Sequence, residues 1–439
     1  MECKYEAASQ NLLKIGEIPA TLISWIPKVS EETQKCIAAT LFDIFNASTA
    51  NRVVATEAGI CSVIIDILQE VKLDDTGKVS EEIVHLLIGT LSSLCSFSLT
   101  PTDLTAILRL MTTYRELGPL LLSCLSQMPR FPAVAQHFFE LYDFGAGMTS
   151  DELSPSSYGL TFFAWICLDP LPTKVKTRRR CILSLLDRDF RGFELFLSEN
   201  NFLVAAHYTK QSCLTVESRK PIVDSNWHSV AVVWSFGTLL GQPGSCQIVI
   251  DGQLEKEARM QIASVDKVKM RIGCGIDMPS AGSTLSSSSS FGSFGQLVGS
   301  LTSRMTRSQS NSQLTLDAAV TLTKAAERDE TFGRPGTMYG LMGYNAVLDN
   351  VVGLRTLSLL HSWGPNSLLQ FQSTNSATSD LQLYLQCYYH PKNTDGHLVR
   401  NLAPNGRHDA CLTGRTHGAI DIRGAVHALS GICVLFPIL

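Results

Sequence analysis

The sequence has few charged residues, and the two signs nearly balance. Charged side chains make up 17% of the 439 residues, and 36 Lys plus Arg face 40 Asp plus Glu, for a net charge of -4. Nucleic-acid binding usually requires a basic excess, so the composition argues against a nucleic-acid partner. Apolar residues make up 45% of the chain, enough for large cores, and the length allows about three domains at roughly 150 residues each.

The sequence also has few long apolar runs, and we expect neither a secretory leader nor a transmembrane segment. Its first ten residues, MECKYEAASQ, contain no apolar run, and its 13 cysteines have no tight spacing, which is typical of a reducing cytosolic protein. The uncharged run Ser225–Ile250 contains the turn-like residues Gly241–Gly244, so two strands fit it better than a membrane helix. These features predict a cytoplasmic protein that is at most peripheral on endomembranes.

Residues 1–147 have the periodicity of helices. Ser30 precedes two acids at the start of one helix, and Thr100–Asp103 supplies a capping threonine, a proline and an acid at the start of another. Glycine and proline breaks divide the remainder into short helices that end near Tyr142. Successive antiparallel helices of this length predict an all-α, armadillo-like or HEAT-like region, followed by a linker at 148–157.

Residues 158–363 have the pattern of strands and turns. Short segments rich in aromatic and β-branched residues predict an all-β sandwich. These segments are 158–168, 181–186, 193–197, 202–208, 227–236, 246–250 and 336–348, with a short helix at 350–363. Asp251-Gly252 predicts a tight hairpin, and the serine- and glycine-rich stretch 279–315 predicts a disordered insertion.

The last part of the chain, residues 364–439, is expected to be a connecting segment and the start of a second helical region. The chain stops inside the apolar run 424–439, so we expect it to be a fragment of a longer polypeptide. The predicted fold class is therefore multidomain, with an all-α region, an all-β sandwich and the beginning of further helices.

The sequence contains no established catalytic signature, such as GxSxG, HExxH or a Walker A loop. Glu255 and Glu257 would share one face of a strand and could serve a glycosidase, although neighbouring basic residues favour a solvated strand edge. Trp165, Trp227 and Trp234 could form a sugar-stacking platform, but their alternation with apolar residues favours the core. We expect no enzyme activity and no cofactor.

Two arrangements resemble metal sites, although neither spacing is typical. Asp187 and Asp189 could bind calcium, but arginines crowd them and no further ligands follow, so a turn is favoured. Four residues could bind zinc as two mixed pairs, namely Cys387, His390, His408 and Cys411. A buried thiol is the more common role for Cys387 in its apolar run, and we expect no metal.

A basic run follows the first predicted strand, and it consists of Lys174, Lys176, Arg178, Arg179 and Arg180. Such a run is usually a solvated hairpin tip, and it is also a candidate contact for an anionic membrane or an acidic partner.

Ser308 and Ser310 follow arginines within the insertion, so they are candidate phosphorylation sites, where a phosphate would add negative charge to a mobile loop. An unmodified spacer is the alternative there.

From about residue 130 to 439, the order of motifs resembles the region upstream of the BEACH domain in neurobeachin-like proteins. In the tail, Cys411–Gly414 corresponds to a family G-x-L-T-G motif, with cysteine in place of the glycine that precedes Leu412. The other motifs are LTFFAWICLDP, GFELFLSENNFLVAAHYTKQSCLTVES, DSNWHSVAVV, QIVIDGQL, the insertion, GLMGYNAVL and WGPNSLLQF.

The resemblance implies a concanavalin A-like sandwich between armadillo-like helices, in a cytosolic scaffold for vesicle and granule traffic. The resemblance assigns no catalytic residue to this chain. The expected function is a non-catalytic interaction module whose partners are proteins of the trafficking machinery. The alternative is a carbohydrate-binding, lectin-like module, since fold alone does not determine function.

Overall fold

The computed structural model describes most of the chain. The described residues are 12–70, 79–128, 134–155, 158–171, 178–237, 243–276, 317–367, 381–404 and 406–431. Among them, no helix is both long and apolar enough to cross a membrane. The predicted insertion at 279–315, with Ser308 and Ser310, lies outside the described residues.

The N-terminal part is a helical domain with its own core. Its helices are α1 Glu17–Trp25, α2 Glu31–Ala47, α3 Thr49–Glu57, α4 Ile60–Glu70, α5 Glu81–Phe97, α6 Pro101–Thr113 and α7 Gly118–Gln127. Their apolar faces pack together around residues such as Ile64, Leu91 and Ile107. The predicted start of α6 is confirmed, because the Thr100 side chain accepts the backbone N–H of Asp103 and caps the helix.

Strands form most of the remaining structure. They are β1 His137–Leu141, β2 Gly147–Leu153, β3 Gly159–Leu168, β4 Arg178–Leu186, β5 Gly192–Leu197, β6 Phe202–Tyr208, β7 Ser212–Pro221, β8 Trp227–Ser235, β9 Gly244–Ile250, β10 Gln253–Met260, β11 Val268–Ile272, β12 Thr321–Lys324, β13 Arg334–Gly336, β14 Gly340–Leu348, β15 Leu385–Asp395, β16 Leu398–Asn401, β17 Ala410–Thr413 and β18 Arg415–Gly418. Among the described residues, the helices that accompany them include α8 Arg328–Phe332, α9 Leu354–Ser362 and α10 Ile422–Ala428.

The strands form a two-layer sandwich, as predicted. The front sheet runs β10-β9-β8-β3-β14 and continues with β1 and β15, and the back sheet runs β2-β11-β4-β5-β6-β7-β12. Strands β16 and β17 connect the two layers. Phe193 of β5 and Trp234 of β8 lie 5.0 Å apart between ring centroids. Because these strands are not hydrogen-bonded neighbours, this contact crosses the core between the layers.

Other elements cover the outer faces of both sheets. On the front sheet, α9 packs through Leu357 and Leu360 into an apolar cluster that also contains Val53 of α3. On the back sheet, Phe332 of α8 packs against Phe196 of β5, with ring centroids 5.3 Å apart.

The predicted hairpin at Asp251-Gly252 is confirmed, because both residues have positive φ and Ile250 lies opposite Gln253.

The predicted boundary between helices and strands is wrong. Helix α7 ends at Gln127, and residues 137–153, which were expected to contain a helix end and part of the 148–157 linker, form β1 and β2. Strand β1 pairs with β14 and β18, and β2 pairs with β11 and β17. All these partners lie far downstream, so local sequence does not reveal the pairing.

The interpretation of residues 364–439 is also wrong where they are described. Strands β15 to β18 belong to the sandwich, so this part is not simply a connecting segment. Helix α10 packs on the N-terminal helical domain. Its Ala425 is buried in the core of the N-terminal helical domain. The chain therefore returns from the sandwich to its first domain.

Candidate functional site

The predicted basic run does not form one exposed surface. Arg179 and Arg180 lie in β4 and are buried, with exposed fractions of 1% and 2%. Arg178 begins the same strand, and Lys174 and Lys176 lie outside the described residues. The expectation that Arg179 and Arg180 contact an anionic surface is therefore wrong, because internal contacts engage both guanidinium groups.

Arg179 belongs to a buried ion cluster on the outer face of the back sheet. Its Nη2 lies 3.2 Å from Glu194 Oε2, and its Nη1 lies 2.8 Å from Asp329 Oδ1. Glu194 also accepts hydrogen bonds from Ser184 Oγ at 3.1 Å and from the Tyr208 hydroxyl at 2.8 Å. Since Asp329 lies in α8, the cluster holds this helix against the sheet.

Arg180 connects β4 to main-chain oxygens. Its guanidinium donates to the carbonyl oxygens of Met338 at 2.6 Å, Asp169 at 3.0 Å, and Tyr339. Burial lowers the pKa of Arg180 to about 10, so the group remains charged at neutral pH. These bonds fix β4 and the residues before β14 beside the end of β3.

Asp169 joins the sandwich to the helical domain. Its side chain is buried and accepts hydrogen bonds from the hydroxyls of Ser48 at 2.9 Å and Tyr142 at 2.7 Å. It also accepts the backbone N–H groups of Thr49 at 2.9 Å and Ala50 at 3.1 Å. These N–H groups belong to the first two residues of α3, where the negative charge of the Asp169 carboxylate compensates backbone donors that have no partner within the helix. We call these five residues the Asp169 junction.

A second contact between the domains involves a histidine. The His417 ring of β18 hydrogen-bonds to Glu57 of α3 and to Glu140 of β1. Burial opposes the charge of His417, but the bonds and charges of Glu140 and Glu57 outweigh it and raise the pKa of the imidazole. The contact therefore adds an ion pair at the end of α3, opposite the end that the Asp169 junction holds.

A charged cluster occupies the start of β8. His228 Nε2 lies 2.6 Å from Asp224 Oδ1, and His228 Nδ1 lies 2.7 Å from Asp251 Oδ2. Burial opposes the charge of His228, but hydrogen bonds to the two carboxylates outweigh it and raise its pKa to about 9. The next residue, Ser229, hydrogen-bonds to His361 of α9 at 2.9 Å, so the cluster lies where α9 docks on the front sheet.

The His228 cluster is expected to make stability depend on pH. A histidine with a raised folded-state pKa stabilises the fold fully below its unfolded pKa, about 6.5, and the effect is lost as pH rises through about 9. His228→Gln is therefore expected to cost about 1–2 kcal/mol at pH 6, because a partly exposed pair is screened by solvent. Urea unfolding from pH 6 to 10 measures the difference, and a constant difference across this range would contradict the assignment.

A groove lies at the end of the sandwich formed by the β4–β5 turn. Two adjoining cavities of about 510 and 610 Å³ share Glu152, Asp187, Arg188 and Lys267. The larger cavity also has apolar lining, which consists of Leu186, Phe190 and Ile276. We call this space the end groove. It combines an apolar floor with a charged rim, as many ligand sites do.

Ion pairs occupy much of the end groove's rim. Arg188 lies 3.2 Å from Glu152, Arg191 lies 2.6 Å from Asp187, and Lys210 lies 3.0 Å from Asp189. Asp187 Oδ1 also accepts the N–H groups of Asp189 and Arg191, both at 2.8 Å. The turn interpretation of Asp187 and Asp189 is therefore confirmed, because bonds within the turn and to Arg191 engage the Asp187 carboxylate.

The proposed catalytic and zinc residues are not arranged as those hypotheses require. A β-bulge between Leu254 and Lys256 interrupts the alternation that would place Glu255 and Glu257 on one face. Cys387 faces the core between the sheets, whereas the nearby His390 ring stacks on the outer-face residue Tyr344. Among the described residues, no three His, Cys, Asp or Glu side chains are placed to hold a metal ion.

The tryptophan prediction is confirmed, since Trp165, Trp227 and Trp234 are all buried.

Sequence reasoning missed Asp169 and Glu194, although the sequence around each contains an indication of its role. Asp169 is an acid directly after an apolar strand, and Glu194 is the one charge inside GFELFL, the sequence of β5. A charge in such a strand requires a buried partner.

No family model matches the chain. Among solved structures, a heptameric SAP-like pentraxin from Limulus polyphemus is 11% identical, with 52% of this chain and 82% of that chain covered and a TM-score of 0.30. Domains LG4-5 of mouse laminin alpha1 are 12% identical, with 51% and 45% covered and a TM-score of 0.26.

A third similar structure is the binding domain of botulinum neurotoxin DC in complex with SialylT. It is 9% identical, with 52% of this chain and 46% of that chain covered and a TM-score of 0.26. Such TM-scores do not establish a shared fold. The two-layer architecture therefore follows from the strand pairings and the core described above.

Proposed function

We propose that this chain is a non-catalytic scaffold module of a BEACH-family protein acting in vesicle or granule membrane trafficking. The ordered motifs from about residue 130 onward support the family proposal. A helical domain followed by a sandwich is also the order that the resemblance implies. The finer description of these domains as armadillo-like and concanavalin A-like belongs to the same proposal.

The Asp169 junction is the observation that carries the scaffold role. A scaffold must hold separate surfaces in a fixed arrangement. A buried carboxylate that accepts three donors from the helical domain, and a fourth from Tyr142 on its own side of the interface, serves that purpose. The return of α10 to the helical domain adds a second covalent connection between the two cores.

Affinity purification with the purified chain tests the role. Cytosol and solubilised membranes are passed over immobilised wild-type protein and over Asp169→Ala, and the retained proteins are quantified by mass spectrometry. We expect proteins of vesicle traffic to be enriched on the wild type and reduced on the junction variant. Failure of the folded wild type to enrich any of them would contradict the proposal.

Peripheral contact with an anionic membrane is part of the proposal. Its remaining candidate residues are Arg178, at the start of β4, and the preceding Lys174 and Lys176, which we take for the test. Changing both to serine is expected to weaken flotation with phosphatidylserine vesicles by about tenfold or more, because each basic residue near such a surface contributes about 1 kcal/mol. Arg219→Ser with Lys220→Ser, at the exposed end of β7, is the charge-matched control. Equal flotation of all three proteins would exclude this contact.

Carbohydrate binding is the second candidate function, and the end groove is the specific observation that favours it. The groove has an apolar floor and a rim of charged groups that act as hydrogen-bond donors and acceptors. A glycan array with and without calcium tests this role independently of protein partners.

A further inference from the structure

We propose that the end groove binds a neutral saccharide and that it does so without calcium. The inference rests on the carbohydrate-binding alternative and is independent of the trafficking role. It concerns the space between β2, the β4–β5 turn and the start of β11, where the larger cavity has a volume of about 610 Å³. That volume lies in the usual range for small-molecule sites.

The floor of the groove provides the apolar surface that a sugar ring requires. Phe190 lies there with Leu186 and Ile276, and its backbone has a φ of +58°. A bulky residue rarely adopts this left-handed conformation, which favours glycine or asparagine. Asp187 holds the turn in place, since its carbonyl accepts the Phe190 N–H at 3.1 Å. The ring is therefore positioned before any ligand arrives.

The rim favours a ligand without net charge. Glu152, Asp187 and Asp189 each have a cationic partner within 3.2 Å. The charges of each pair largely cancel, so the rim offers fixed hydrogen-bonding groups but no strong positive or negative electrostatic potential. Carboxylate oxygens and guanidinium N–H groups held in this way can accept from and donate to hydroxyl groups. Phosphate or sulfate would gain little there, because Arg188 and Arg191 already have carboxylate partners, and the two lining lysines, Lys267 and Lys269, are balanced by the lining carboxylates of Asp151 and Asp266.

Among the described residues of the same rim, no three carboxylate, histidine or cysteine side chains are placed to hold a calcium ion. The ion requires six to eight oxygen ligands, whereas the Asp187 carboxylate already accepts two backbone N–H groups and pairs with Arg191. Lys210 pairs with Asp189 and lowers the pKa of its carboxyl group. Recognition must therefore come from the side chains themselves.

The test uses the full chain on an array of neutral, sialylated and sulfated oligosaccharides, with calcium or with EDTA, followed by calorimetric titration of the best-retained neutral glycan. Phe190→Asn removes the ring but tolerates the left-handed backbone, and Arg188→Ala removes a side chain that is 92% exposed. Arg355→Ala, at the start of α9 on the other sheet, is the control. Urea unfolding of each variant verifies that it is folded.

We expect retention of a neutral glycan that EDTA does not change, with affinity reduced about tenfold or more by Phe190→Asn and Arg188→Ala but not by Arg355→Ala. Retention of charged glycans only, dependence on calcium, equal affinity of the groove variants, or no retention by the folded chain would each overturn the proposal. None of these results bears on the recovery of trafficking proteins, so failure of this inference and failure of the scaffold proposal are distinguishable.

Discussion

Replacing Asp169 by alanine is expected to destabilise the folded chain by about 3–5 kcal/mol, since it leaves several buried donors unpaired and removes the cap of α3. The affected donors are the hydroxyls of Ser48 and Tyr142 and two backbone N–H groups. Urea unfolding monitored by tryptophan fluorescence and by circular dichroism measures the change.

The same substitution is expected to separate the unfolding of the two domains. In a Trp25→Phe background, which removes the tryptophan of α1, fluorescence reports on the sandwich and the helical circular dichroism signal reports mainly on the other domain. The two transitions should then no longer coincide. Asp43→Ala, which removes an exposed carboxylate from α2, is the control and should change stability by at most about 0.5 kcal/mol. An Asp169→Ala protein as stable as the Asp43→Ala protein would show that the junction contributes little.

Removing the cation from the buried cluster is expected to have a comparably large effect. Arg179→Leu leaves the buried carboxylate of Glu194 without its cation, for which we expect a loss of about 3–5 kcal/mol. Arg188→Leu, on the exposed β4–β5 turn, is the matched control and should be nearly neutral.

A double-mutant cycle separates the ion pair from lost packing. Because Arg179→Leu with Glu194→Leu removes both charges and leaves apolar side chains, the double variant should be more stable than the sum of the single effects by at least about 1 kcal/mol. Urea denaturation of the four proteins provides the values. Strictly additive effects would mean that the two side chains do not stabilise each other through their charges.

Local patterns were sufficient for most of the sandwich. Strand β6 spans Phe202–Tyr208 as predicted, β3 begins at Gly159 rather than Tyr158, and the Asp251-Gly252 hairpin lies where expected. These segments combine high β-propensity with turn residues at both ends, so their signal is contained within a few neighbouring residues.

Long-range pairings explain most of the errors. Strand β1 and strands β15 to β18 are stabilised by partners far away in the sequence, and β15 even contains Pro391. Helix α10 was assigned to a new domain because no local pattern indicates which core Ala425 enters. The same limitation applies to the end groove, whose lining comes from separate parts of the chain.

The basic run shows how a correct local pattern can give a wrong site. Five cations close together usually favour a solvated loop, but Arg179 and Arg180 lie within a strand whose neighbours supply Glu194 and several main-chain oxygens. Such acceptors become visible only when the sheets are assembled. The charge inside β5 was the one available indication.

The proposed scaffold role requires that the helical domain and the sandwich form one rigid unit. Cys36 of α2 and Cys411 of β17 are exposed thiols, whereas burial raises the pKa of Cys181 to about 12 and makes it a poor target for labelling. With Cys3 and Cys433 replaced by serine, spin labels can therefore be attached selectively to the two exposed positions, one in each domain.

The distance between these two labels, measured by double electron–electron resonance, tests the rigid unit most directly. A single narrow distance distribution is expected for the wild-type junction, because Asp169 and His417 both connect α3 to the sandwich. A broad distribution, with the domains taking many relative positions, would contradict the rigid unit and with it the scaffold role.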